Sequence, residues 1–167
     1  MTLHLHSPNP ERRVEPIKFL VCDDDLNDVD VLKRFLNPFA RSFTVVTTLD
    51  GAIEACKKES FDVMILDLSL TDSRWQDTLE AIRTLRGLNQ KMRMVVCSGM
   101  PVPDLRDQAL KYGADVFLPK DANMYREGGK ALLLAVNVAM MHASPDESFW
   151  PRVQALREMV THFSEQQ

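Results

Sequence analysis

Cysteine, histidine and excess positive charge are all scarce in this chain of 167 residues, and each shortage narrows the function. Its three cysteines cannot all pair. Cys22 and Cys97 stand in apolar runs that read as buried strands, where a free thiol behaves as a small hydrophobe, and a reducing compartment fits. Basic residues number 20 against 24 acidic ones, a formal charge of −4. Neutralising nucleic-acid phosphates needs clustered Lys and Arg, so no nucleic-acid partner is expected. The four histidines lie at His4, His6, His142 and His162, away from every strand end that could build a His-assisted triad. No apolar run near the start, MTLHLHSPNPERR, is long enough for a signal peptide or a membrane span. A cytoplasmic protein without membrane contact is the expectation.

What is present is ordinary for a globular domain: 45% hydrophobic and 26% charged residues, enough apolar material for one core. Ile17 to Cys22 reads IKFLVC, an apolar run too short for a helix that ends in three acids. Leu26 to Leu36 has helical spacing and is stopped by Asn37 and Pro38. The alternation then repeats. Phe43 to Thr47, Val63 to Leu66, Met92 to Cys97 and Val116 to Leu118 read as strands. Asp50 to Lys58, Thr78 to Leu85 and Asp104 to Tyr112 read as helices, the last closed by Gly113 at its C′ position. Continuous apolar strands separated by helices imply an α/β, doubly wound parallel sheet covered on both faces.

Residues 131–141, ALLLAVNVAMM, are apolar nearly all round, more than one face against a sheet requires. Beyond Ser144 and Pro145, Val153, Leu156, Val160 and Phe163 fall on one stripe, with Pro151 suited to a first helical turn. The expected organisation is a flexible leader over 1–15, one domain over 16–143 and a helical extension over 144–167, with no effector domain after it. The added helix either folds back on its own domain or packs against a second copy.

Parallel sheets of this kind bind ligands at the carboxyl ends of their strands. Asp23, Asp24 and Asp25 follow the first strand, and Asp67 ends the third in MILDLSL. Two carboxylates about 4 Å apart repel by roughly 4 kcal/mol at an effective dielectric near 20, so a cation or a shifted protonation must compensate. Oxygen donors without Cys or His favour Mg2+, Mn2+ or Ca2+ over zinc, and an open octahedral site suits Mg2+ bound with a phosphate. Ser98 and Gly99 end the fourth strand and Lys120 ends the fifth. A hydroxyl, a closely approachable backbone amide and an ammonium facing carboxylates would supply the donors that phosphoryl transfer needs.

The stretches FLVCDDD, MILDLSLTDS, VVCSG and GADVFLPKD, in this order, resemble the receiver domains of two-component response regulators over roughly residues 16–140. The resemblance implies a flavodoxin-like five-stranded sheet of order 2-1-3-4-5; that family's chemotaxis member is a standard example of the order. It implies that Asp67 accepts phosphate from a histidine kinase or a histidine phosphotransfer protein. Asp24 would bind Mg2+ directly, Asp23 through water, and the backbone carbonyl of Ser69 would complete the protein ligands beside Asp67. Lys120 would pair with the phosphoryl group, Ser98 would sense it, the Gly99 amide would contact it, and Phe117 would occupy the place of the aromatic switch residue. Such a phosphoprotein serves as a signalling switch with an unnamed downstream protein, and a homodimer through the last helices is one arrangement.

Three positions depart from the family pattern. Thr71 stands where Pro is frequent, Trp75 about where Gly is usual, and Asp121 replaces the usual Pro after Lys120, where a cis bond would cost about 2.5–4 kcal/mol. These predict an unusual loop after Asp67 and call the Lys120 approach into question. Two other classes fit parts of the sequence. A phosphohydrolase of the haloacid dehalogenase type would use Asp23 as nucleophile and Asp25 as general acid, leaving Asp67 idle. A receiver-shaped binding module would never be phosphorylated.

Overall fold

Among the described residues, the alternation of apolar runs and helical spacing folds into five strands and five α-helices. The computed structural model describes residues 16–141; the leader, all four histidines and the stretch from Phe149 to Phe163 lie outside the described residues. The strands are β1 (Ile17–Cys22), β2 (Ala40–Val46), β3 (Val63–Asp67), β4 (Arg93–Ser98) and β5 (Val116–Pro119). The helices are α1 (Leu26–Leu36), α2 (Leu49–Lys58), α3 (Trp75–Leu88), α4 (Leu105–Tyr112) and α5 (Arg126–Met141). All strand pairs are parallel, in the order β2-β1-β3-β4-β5. This is the flavodoxin-like order that the sequence resemblance implied.

The side-chain period of two, with both faces covered, explains why the inner strands carry unbroken apolar runs such as FLVC, VMIL and MVVC. In β1, Phe19 and Val21 face a core shared with α1 and α5, whereas Leu20 and Cys22 face a second core shared with α2, α3 and α4. Val63 and Ile65 against Met64 and Leu66 divide β3 in the same way.

Two element starts lie three residues earlier than the sequence predicts, each for a local reason. β2 begins at Ala40 rather than Phe43, with Arg41 and Ser42 exposed: it is an edge strand with one neighbour, so its first residues need not be apolar. α3 begins at Trp75 rather than Thr78, because Arg74 pairs with Asp77 through two 2.9 Å hydrogen bonds and the Trp75 ring packs on the core. After α1, Asn37–Phe39 forms a 3-10 turn around Pro38. The expected C′ glycine holds: Gly113 sits at φ +119 and its N–H satisfies the end of α4.

Register places the chemistry. Cys22 pairs with Leu66 and Asp67 with Cys97, so Asp23, one residue beyond β1, stands level with Asp67 at the end of the central strand. Ser98 pairs with Pro119, which brings Lys120 to the same rim.

Candidate functional site

The three consecutive acids after β1 have three separate occupations. Asp23 is buried; its Oδ1 accepts the Asp25 N–H at 2.9 Å and its Oδ2 accepts Lys120 Nζ at 2.6 Å. Asp24 is half-buried, and its Oδ2 accepts both the N–H of Thr71 at 2.9 Å and the Thr71 hydroxyl at 2.6 Å. Asp25 is exposed and caps α1, accepting the N–H groups of Asn27 and Asp28, which satisfies two orphan donors of the first turn. With its carboxylate occupied at the helix end, Asp25 is not placed as a general acid over Asp23. The phosphohydrolase arrangement is not formed.

Asp67, 5% exposed, is the focus of the rim. Its Oδ1 accepts the Ser69 N–H at 2.8 Å, an Asx turn that starts the loop, and its Oδ2 accepts Lys120 Nζ at 2.9 Å. The Lys120–Asp121 bond is trans, and Lys120 reaches the carboxylates with it in that state. The ammonium contacts a further acid, Asp28 Oδ2, at 3.0 Å. One lysine thus answers three carboxylates, which is how the rim tolerates its own repulsion.

Electrostatics follow from burial and these bonds. Burial pushes the Asp23 carboxyl above the usual range, against the opposing pull of Lys120. The two Thr71 donors hold Asp24 below it. Burial alone would lower Lys120, but its bonds to Asp23 and Asp67 outweigh that and raise it, so it stays charged.

One carboxylate oxygen each from Asp23, Asp24 and Asp67 lie within 4.8 Å of one another, a spacing that suits a shared cation. The donor set decides its kind. Cys22 adjoins Asp23 in sequence, but its thiol donates to the Thr48 carbonyl at 3.5 Å and is pushed up to about 12, chiefly by burial. Three oxygens fit a hard divalent ion.

The remaining residues named from sequence stand around this centre. Ser98 is buried, and its Oγ accepts the Met100 N–H at 3.1 Å, so the hydroxyl is engaged within its own loop. A Cβ on Gly99 would come within 3.3 Å of the Lys120 carbonyl, so a bare backbone lets β4 and β5 close together here. Ser69 itself is exposed. Phe117 is half-buried, packs against the second core and lines a cleft of about 460 Å3 together with Ser98, Met100, Val102 and Leu105.

Two contributors escaped the sequence reading. Thr71 registered only as a departure from Pro. Asp28, in the first turn of α1, is indistinguishable in sequence from an acid complementing the helix dipole.

A family profile described as "Response regulator receiver domain" matches residues 19–126. Over 134 residues the chain is 22% identical to Transcriptional regulatory protein ZraR of Klebsiella oxytoca, covering 80% of this chain and 28% of that protein. Over another 134-residue match it is 28% identical to Response regulator MprA of Mycobacterium sp. (strain KMS), covering 79% and 54% respectively. The chain therefore spans about a quarter to about half the length of these curated relatives. Among solved structures, it resembles a response regulator protein from Burkholderia pseudomallei with a phosphorylated aspartic acid, calcium ion and citrate. That likeness has a TM-score of 0.61 at 28% identity, covering 74% of this chain and 69% of the other.

Proposed function

This chain belongs to the response regulator receiver domain family, and from that premise we propose that it is a phosphorelay acceptor modified on Asp67 by a histidine kinase or a histidine phosphotransfer protein. The observation that carries the reading is the convergence on Asp67: two further carboxylates with oxygens within 4.8 Å, and the Lys120 ammonium 2.9 Å from Oδ2.

In the reaction, a carboxylate oxygen of Asp67 attacks the phosphorus of a phosphohistidine. A P–O bond forms as the P–N bond breaks, and the imidazole leaves with the electron pair. Lys120, already placed against Asp67, neutralises charge on the transferred phosphoryl group. Asp24, Asp67 and the backbone carbonyl of Ser69 would hold Mg2+ directly, with Asp23 holding it through water. When bound, the ion offsets the negative charge shared by carboxylates and phosphoryl oxygens. The Gly99 amide and the Ser98 hydroxyl donate to phosphoryl oxygens; the bond from the Met100 N–H uses a lone pair of Ser98 Oγ and leaves its O–H to donate. Phe117, beside Ser98 on the cleft, repacks as Ser98 moves, and the altered surface is read by a downstream protein.

In this reading the chain assists only its own phosphotransfer and dephosphorylation, and it works in the cytoplasm, where its phosphodonor is recharged. A homodimer through the last helices belongs to the same proposal.

Intact mass after incubation with acetyl phosphate and Mg2+ tests the centre of it. Wild type gains one phosphoryl group, Asp67→Asn gains none, and Asp23→Asn gains it slowly. An unmodified wild type, or an Asp67→Asn variant that still gains the group, would overturn the assignment.

A further inference from the structure

Thr71 lies four residues past Asp67, on the loop between β3 and α3, where the receiver pattern frequently carries Pro. A proline has neither an N–H nor a hydroxyl to give. Thr71 donates both to one atom, Asp24 Oδ2, at 2.9 and 2.6 Å. The loop after the acceptor is thereby tied to the acid after β1 at two points, across 47 residues of sequence.

The tie does not draw Asp24 away from the cation cluster. With both bonds in place, one of its oxygens remains within 4.8 Å of those from Asp23 and Asp67. Asp24 is also the least buried of the three acids, so without a partner its side chain would be the freest to rotate. Hydrogen bonds that fix a ligating carboxylate remove that freedom before the ion arrives.

We propose that Thr71 is a positioning residue that holds the Asp24 carboxylate for Mg2+ and so raises the affinity of the site. The inference rests on reading Asp24 as a direct ligand, and its test separates the two.

Mg2+ is titrated calorimetrically into the full chain as wild type, Asp24→Asn, Thr71→Ser, Thr71→Val and Thr71→Pro, each checked for folding by circular dichroism. Ser keeps both donors and binds as wild type does. Val loses the hydroxyl at nearly constant shape, and the dissociation constant rises by about 3- to 10-fold. Pro loses both donors, and it rises by roughly 10- to 100-fold, the range for lost outer-sphere partners. Val binding as tightly as wild type, while Asp24→Asn is impaired, overturns the role of Thr71 whether or not Pro folds. A wild type that takes up no Mg2+, or an Asp24→Asn variant that binds undiminished, instead overturns the reading of Asp24 on which the inference depends.

Discussion

Lys120 is the residue on which the site turns, because its one positive charge is divided among Asp23, Asp67 and Asp28. A phosphoryl group arriving on Asp67 must draw the ammonium toward itself and away from the others. Asp23 is buried and would be occupied with the cation, so the remaining competitor is Asp28, whose side chain is 31% exposed. Asp28→Asn removes one negative charge near the incoming anion and releases Lys120. Allowing for solvent screening, that amounts to about 1 kcal/mol, or roughly fivefold tighter binding of beryllofluoride at saturating Mg2+. Fluorescence titration measures it; unchanged or weaker binding would show that Asp28 does not compete. At this scale, Asp23, Asp24, Asp67 and Lys120 were all legible in sequence, because strand ends in a parallel sheet share one rim. Asp28 and Thr71 were not, because their partners are chosen by side-chain direction in three dimensions and leave no periodic trace.

Between elements, an arginine near the end of α3 helps to fasten the far edge of the sheet. Arg86 donates to the Met92 and Gly113 carbonyls and, at 2.7 Å, to Asp115 Oδ2. Asp115 in turn accepts the Met94 N–H at 2.8 Å and Arg93 at 3.4 Å. One guanidinium thus binds α3 to the loops that enter β4 and β5, the strands that carry Ser98 and precede Lys120. The Arg86 and Asp115 side chains are 24% and 10% exposed, so Arg86→Met leaves a mostly buried carboxylate with only the Met94 N–H and the longer Arg93 contact, and takes a donor from two carbonyls. The expected loss is about 2–4 kcal/mol, read as a lower urea midpoint at unchanged slope. A loss below about 0.5 kcal/mol would place Arg86 among ordinary surface residues. Sequence could not have shown this clamp, since its partners come from separate loops. It did show the strands whose apolar runs are dictated by burial on two faces. It misplaced the start of β2, where an edge needs no such run, and the start of α3, where an Arg74–Asp77 pair and a packed Trp75 extend the helix beyond its periodic core.

For the whole molecule, the question is what becomes of the apolar surplus in α5. Most of it is absorbed: α5 packs on β4, β5 and α1, and Leu132, Leu133, Val136 and Met140 are buried. The large apolar side chains of α5 left exposed are Leu134, Val138 and Met141, at 41%, 41% and 44%. Spacings of four and three put them on one stripe of the helix. A twofold contact would lay this stripe against its own copy, so each residue would act twice in the interface, and a single substitution would be felt twice. Three side chains per copy make a small contact, so the dimer should be weak and concentration-dependent. Sedimentation of the full chain across a concentration series is expected to show dimer growing in at the high end. Val138→Glu, at an exposed position that leaves the core untouched, should hold it monomeric with an unchanged melting temperature. A version ending at Ser144 that dimerises like the full chain would assign the contact to α5 itself, whereas its loss would assign it to residues 145–167. A full chain that is monomeric throughout the series, or a Val138→Glu chain that dimerises as before, would remove the stripe as an interface.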